Sequence, residues 1–213
     1  MFLGPWLFPE LANEWGVVAL GGDLRPERLL KAYRRGVFPW YAEGDPITWW
    51  SPDPRAIFEL DGLHVTRRLA RTIRSGRFTV TVNRDFAGVI RGCADRPPEE
   101  RWITTEMIQA YEKLHDLGQA HSVEAWHQGT LAGGVYGVAL GGFFAGESMF
   151  TRVRDGSKVA LAFLVERLRQ RGFELFDVQF RNEHTTRLGA VEVPRSEYLA
   201  RLRRALGCPV TFV

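Results

Sequence analysis

Apolar positions along the chain fall into two textures that meet near residue 62. In the first 60 residues, turn formers and aromatics follow each other without a sustained period, and five of the seven tryptophans lie there. Only 26–35 has helical spacing, with Leu29, Leu30 and Tyr33 on one face, proline in its first turn and Gly36 as its stop. Phe38-Pro-Trp-Tyr and Trp49-Trp-Ser-Pro-Asp-Pro carry too much proline for central strands, which predicts loops pinned by aromatic packing. From residue 63 the periods become regular. A helix is predicted near 66–75, ending at Gly76, and Phe78, Val80 and Val82 then alternate as a half-buried strand. A second helix over 105–117 puts Met107, Ile108, Tyr111 and Leu114 inside. Strands over 121–126, 131–140 and 143–148 are separated by Gly-containing turns, the signature of hairpins. A helix near 157–171, a strand over 173–179, a helix over 196–206 and a strand over 209–213 complete the pattern. An antiparallel meander followed by helix–strand units is an α+β arrangement, divided here into a small N-terminal domain, 1–62, and a larger one, 63–213.

Composition narrows the class. The 213 residues are 45% hydrophobic and 25% charged, values of an ordinary globular protein and not of a disordered or collagen-like chain. No apolar run approaches the roughly 18 residues of a membrane-spanning helix. The start, Met1-Phe-Leu-Gly-Pro-Trp, lacks the basic flank of a secretory signal. Two cysteines, Cys93 and Cys208, make neither a disulfide framework nor a metal-ligand spacing. A soluble cytoplasmic protein without contact to membranes is expected.

The net charge of +3 is unevenly spread. Residues 1–60 carry 6 basic and 8 acidic side chains, and the remainder 22 and 17. The basic residues are 25 Arg and 3 Lys, which suits bidentate recognition of phosphate and equally a GC-rich genome. On the helix near 66–75, Arg67, Arg71 and Arg74 share one stripe. That stripe is either a solvated helix face or a phosphate-binding surface.

Three stretches place polar or aromatic residues inside segments that read as buried. Glu147, in Gly146-Glu-Ser-Met-Phe, ends a strand, and a buried Glu requires a partner. Asp177 and Gln179 point to one face of their strand, with Phe176 and Val178 on the other. A carboxylate beside a carboxamide can fix which way the amide points. Trp49-Trp50 and Trp102 suit either core packing or stacking on unpaired bases. The five histidines form no zinc-binding spacing.

Taken as one string, these residues resemble the leucyl/phenylalanyl-tRNA–protein transferase family. The resemblance rests on Gly21-Gly-Asp-Leu, Pro26-Glu-Arg-Leu-Leu, Tyr33-Arg-Arg-Gly-Val-Phe-Pro-Trp, Trp49-Trp-Ser-Pro-Asp-Pro-Arg and Trp102-Ile-Thr. It continues through Ala120-His-Ser-Val-Glu, Gly134-Val-Tyr-Gly-Val-Ala-Leu-Gly, Gly146-Glu-Ser-Met-Phe, Ser157-Lys, Asp177-Val-Gln and Leu188-Gly-Ala. The blocks follow the family's order. Val178 stands where the family commonly has cysteine, which argues against cysteine chemistry.

The resemblance implies a C-terminal domain of acetyltransferase-like (GNAT) fold with a mostly antiparallel sheet. It implies transfer of Leu, Phe or less readily Met from aminoacyl-tRNA to proteins with N-terminal Lys or Arg, marking them for N-end-rule degradation. By the same resemblance Asp177 would orient Gln179, Gln179 would accept from the attacking amine, and Glu147 with Asp177 would attract the acceptor's cationic terminus. Trp49 and Trp102 would hold the terminal adenosine. Met149, Phe144, Leu161, Leu164 and Phe176 would surround the transferred side chain, and Arg67, Arg71 and Arg74 would follow the tRNA backbone. No metal or organic cofactor is expected, and the protein is expected to be a monomer. Two other functions are weighed: an acetyl-CoA N-acetyltransferase and a non-catalytic RNA-binding module. The first lacks its pyrophosphate loop, since Arg152-Val-Arg-Asp-Gly-Ser fails at the first glycine. The second leaves Glu147, Asp177 and Gln179 without a purpose.

Overall fold

A computed structural model describes residues 8–97 and 100–213; residues 1–7, read above for a secretory signal, lie outside it. The N-terminal part is built on a three-stranded antiparallel sheet. Its strands are β1 (Val17–Leu20), β2 (Phe38–Pro39) and β3 (Thr48–Trp50), in the order β1-β3-β2. The expected loops at 38–41 and 49–54 are thus partly strands, and Trp49 and Trp50 lie on the central one. Proline explains the limits of these strands instead of forbidding them. Pro39 takes an edge position, where a missing N–H costs nothing, and Pro46 and Pro52 flank β3 without interrupting it.

Helix α1 (Pro26–Tyr33) begins on proline as predicted and buries Leu29, Ala32 and Tyr33. The turn after it needs Gly36, whose φ is 73°. A Cβ there would also come within 2.8 Å of the Tyr198 ring, so α1 is followed by an unusually close backbone approach to the C-terminal helix.

The larger sheet has seven strands in the order β10-β4-β9-β8-β7-β6-β5. They are β4 (Arg55–Phe58), β5 (Thr79–Val82), β6 (Ala120–His127), β7 (Thr130–Leu140), β8 (Phe143–Thr151), β9 (Leu175–Gln179) and β10 (Val191–Val193). The fold class is α+β with a mostly antiparallel central sheet, as expected; β8 and β9 form its one parallel pair among the described residues. Strand β4 pairs within this sheet although it precedes residue 62, so the passage from one sheet to the other falls at 51–54.

Helices α3 (Phe86–Ala94), α4 (Thr105–Asp116) and α7 (Arg195–Leu206) cover one face. Their core includes Tyr111, Tyr136 and Tyr198 and runs without a break into Leu29, Tyr33, Phe38 and Trp49 of the N-terminal part. Helices α2 (Arg67–Arg74) and α5 (Gly156–Gln170) cover the other, around Phe144, Leu161, Leu164, Phe173 and Phe176, and the short α6 (Glu183–Arg187) lies between β9 and β10. The strand expected over 209–213 is irregular. Its alternation reflects one anchored side chain, Phe212, which is buried against the His121 and Phe144 rings while Arg167 Nε donates to its carbonyl at 2.9 Å.

Candidate active site

The parallel pairing of β8 and β9 lasts for three residues, from Phe143↔Leu175 to Ala145↔Asp177. Beyond it the two strands line opposite sides of a cleft of about 1400 Å³, Gly146–Thr151 on one side and Val178–Phe180 on the other. Each strand is also bulged where its polar residue stands. Against β7, Gly137 pairs with Gly146 and Tyr136 with Ser148, which leaves Glu147 as the extra residue. Against β4, Ala56 pairs with Gln179 and Ile57 with Asp177, which leaves Val178 extra. Bulges of this kind re-aim a side chain and end regular pairing. Gln179 then takes φ of 58°, a left-handed conformation rare for a residue with a side chain.

Asp177 is fully buried, yet every part of its carboxylate is bound. Arg55 Nε donates to Oδ1 at 2.8 Å and Arg55 Nη2 to Oδ2 at 2.6 Å, a bidentate pair. The Tyr198 hydroxyl donates to Oδ2 at 2.9 Å, and the backbone N–H of Gln179 donates to Oδ1 at 3.0 Å. Arg55 gives a further hydrogen bond to the Gly36 carbonyl at 3.0 Å, between the rings of Phe38 and Tyr198. Asp177 therefore fixes the backbone of Gln179 and not its carboxamide. That corrects the sequence reading, as does the finding that Arg55 already compensates its charge, which leaves Asp177 little pull on an incoming cation.

The carboxamide of Gln179 is held by Glu147. Its Nε2 donates to Glu147 Oε1 at 3.1 Å, which leaves the amide oxygen without a partner in this bond and free to accept. The other Glu147 oxygen accepts from the Tyr111 hydroxyl at 3.1 Å, and the hydroxyls of Tyr111 and Tyr33 hydrogen-bond each other. Burial pushes the Glu147 carboxyl up to about 7, while the Tyr33 and Tyr111 hydroxyls and the charge of Arg55 pull it back. A half-buried carboxyl that titrates near neutrality and shares a cleft with a fixed amide oxygen is suited to receive an ammonium group.

The aromatic residues are rearranged relative to expectation. Trp49 is 1% exposed, and its indole N–H donates inward to the Gly21 carbonyl at 2.9 Å, so it cannot stack on a base. Trp40, at 40% exposure, lines the cleft instead, with Phe180 at a ring separation of 5.3 Å and Trp102 also on the cleft wall. Met149, Leu161 and Phe176 line the cleft, together with Phe58, Val135 and Val178. Phe144 and Leu164 lie in the core beneath and do not reach it, because strand and helix periodicity turn them inward. Arg67, Arg71 and Arg74 are exposed on α2, outside the cleft. Arg68 ties that helix to the start of α5 through Asp155 at 3.3 Å.

Arg55, Tyr33 and Tyr111 were not singled out in the sequence as members of the site. A usable signal existed for the tyrosines, since a hydroxyl on the apolar face of a helix must find a polar partner. Among the described residues no three His, Cys, Asp or Glu side chains converge where a metal ion would sit, and no helix is long and apolar enough to cross a membrane.

A carboxyl poised near neutrality, an aimed carboxamide and an apolar wall suit a site that moves a group onto an amine. Comparison with known proteins makes the class specific. The model of the leucyl/phenylalanyl-tRNA protein transferase family matches residues 57–203, and that of its N-terminal domain matches 22–53. The chain is 56% identical over 204 residues to a leucyl/phenylalanyl-tRNA–protein transferase of Anaeromyxobacter sp. (strain Fw109-5), covering 94% of this chain and 87% of that protein. It is 52% identical over 208 residues to the protein of that name from Nitratidesulfovibrio vulgaris (strain DP4), covering 95% and 89%. Among solved structures, a ribosomal-protein-alanine N-acetyltransferase from Brucella melitensis biovar Abortus 2308 matches at a TM-score of 0.33 and 20% identity, over 45% of this chain and 74% of that one. The chain belongs to the leucyl/phenylalanyl-tRNA protein transferase family, and it is an aminoacyltransferase.

Proposed function

We propose that the cleft transfers Leu or Phe, and less readily Met, from aminoacyl-tRNA to the α-amine of proteins that begin with Lys or Arg. The observation that carries this reading is the bond from Gln179 to Glu147, which aims a carboxylate and an amide oxygen into one cleft. The acceptor's α-ammonium docks on Glu147. Once it has lost a proton, the nitrogen attacks the aminoacyl carbonyl while an N–H is held by the Gln179 oxygen. A C–N bond forms, the ester C–O bond breaks, and the terminal ribose oxygen leaves with the second proton from nitrogen. The ester is already activated, so positioning supplies most of the acceleration.

Trp40 and Trp102 sandwich or flank the terminal adenosine, a role moved here from Trp49. Met149, Leu161 and Phe176 contact the transferred side chain, and Met adapts to both Leu and Phe. The α2 arginines follow the acceptor stem, with affinity that falls as salt rises. The protein works as a monomer in the cytoplasm, and its products enter N-end-rule degradation.

Transfer of acetyl from CoA is disfavoured by the start of α5. There the Gly156 N–H donates to the Val153 carbonyl at 2.9 Å, the Ser157 N–H to Thr151 Oγ1 at 3.4 Å, and an acidic residue, Asp155, paired with Arg68, occupies the N-cap. A pyrophosphate needs those donors free and that charge absent. The test is transfer of label from radiolabelled Leu-tRNA to a casein-like acceptor with N-terminal Arg, without CoA. Label in hot-acid-stable protein is expected, and Gln179→Ala should slow transfer while sparing tRNA binding. No label with tRNA still bound would instead indicate an RNA-binding module.

A further inference from the structure

The N-terminal part reaches the cleft floor through one side chain. Tyr33 sits on the last turn of α1, fully enclosed, and its hydroxyl meets that of Tyr111 from α4. Tyr111 spends its single proton on Glu147 Oε2, so the bond between the two hydroxyls is donated by Tyr33. The result is an ordered chain, Tyr33 to Tyr111 to Glu147, whose last carboxylate oxygen is bonded to Gln179. Every link from Tyr33 to Gln179 is thereby oriented by the one before it.

Facing Glu147 are Tyr33 from α1, Tyr111 from α4, Tyr136 from β7, Gln179 and Asp177 from β9, and Arg55 from β4. Only Arg55 is a cation, and its Nε and Nη2 are committed to Asp177. Glu147 is thus a carboxylate stabilised by hydroxyls and an amide in place of a paired cation, an arrangement that leaves it open to a cation arriving from the cleft. The neighbouring hydroxyl of Tyr136 makes no hydrogen bond, so this is not a general feature of tyrosines in this core.

Resting on the transfer reading above, we propose that Tyr33 and Tyr111 are a positioning pair that holds Glu147 as the acceptor of the proton lost by the incoming α-ammonium. The ammonium N–H breaks, its proton joins a Glu147 oxygen, the electron pair stays on nitrogen for attack, and Glu147 later releases the proton to water. The N-terminal part then does more than bind RNA. It supplies the first link of the chain that places the base.

The test is the pH dependence of transfer to an N-terminal-Arg peptide, for the wild type and for Tyr111→Phe, Tyr33→Phe and Tyr136→Phe. Removing a hydroxyl that stabilises the carboxylate raises its affinity for protons. Tyr111→Phe should move the acid limb of kcat/KM upward by about one pH unit and raise the peptide KM, with the Kd for tRNA unchanged. Tyr33→Phe should move it in the same direction, since the Tyr33 hydroxyl also lowers the proton affinity of Glu147, and Tyr136→Phe should leave the limb in place. Thermal destabilisation with an unmoved limb in both Tyr33→Phe and Tyr111→Phe would reduce the pair to packing and overturn the proposal. Infrared difference titration against Glu147→Gln reads the same carboxyl without substrate. A Glu147 titration unaltered by Tyr111→Phe refutes the pair even where no transfer is seen, whereas loss of transfer in the wild type alone refutes the function.

Discussion

Two carboxylates lie within one side-chain layer of each other on β8 and β9, and they are held in opposite ways. Asp177 faces a guanidinium bidentately and takes two further donors, so its charge is cancelled and its lone pairs are used. Glu147 has a hydroxyl and an amide and no cation of its own. The first arrangement makes a rigid joint and the second a reactive one. Sequence alone presents both as a strand acid next to apolar neighbours, so the difference comes from what the other elements bring. Strand β4 brings Arg55, while α1 and α4 bring tyrosines.

Breaking the rigid joint should have the largest effect. Arg55→Ala leaves Asp177 charged and fully buried without its cation, and removal of one partner from a buried pair costs about 3–5 kcal/mol. Glu147→Gln keeps an acceptor for Tyr111 and removes a charge that was costly to bury, so unfolding in urea should show no comparable loss. Similar losses for the two variants would show that both acids are structural.

The tryptophans offer the same contrast at a second place. Trp49→Ala opens a cavity in the continuous core of the N-terminal part and should cost about 3 kcal/mol. Trp40→Ala removes a cleft-wall ring and should spare most of that stability while weakening an aminoacyl-adenosine mimic, with each lost base stack worth about 1–3 kcal/mol. Calorimetry on the two variants separates these outcomes. Weakened binding in Trp49→Ala at unchanged stability would return the adenosine to that residue.

The regular elements were legible because their periods are strong. Helices α1, α2, α4, α5 and α7 and strands β6 to β8 lie within a few residues of the spans predicted from apolar spacing. Helix α3 was missed although Phe86, Val89, Ile90 and Cys93 stand at helical spacing, whereas the short strands β1, β4 and β10 carried no comparable signal, since three or four residues do not establish a period. The common face of Asp177 and Gln179 was readable from alternation. The bulges at Glu147 and Val178 were not, because an unpaired residue is defined by the register of its neighbour and not by its own type. Trp49 was misassigned and Trp40 passed over for a related reason: an indole's composition is the same in a core and on a cleft wall, and only the packing around it, which buries Trp49 and leaves Trp40 exposed, decides it.

The smallest effect is also the most discriminating, because it sets Glu147 against a group of opposite sign. Burial holds His121 down at about 4, against an ordinary 6.5, where its ring stacks on Phe212 and its Nδ1 meets Asn83 Nδ2 at 2.9 Å. Between those values the unfolded chain binds the extra proton, so His121 makes stability fall as pH falls. Glu147, raised from 4.5 to about 7, does the reverse: the folded protein binds the extra proton, and stability falls as pH rises through that window. Each slope is limited to about 1.4 kcal/mol per pH unit, and where the windows overlap, between 4.5 and 6.5, they oppose each other. Glu147→Gln removes one of the two. Its stability relative to the wild type should therefore rise with pH across the overlap, since every other titrating group is common to both proteins. Unfolding free energies measured in urea at several pH values give that difference directly, and parallel curves would mean that Glu147 titrates as an ordinary surface acid despite its place on the cleft floor.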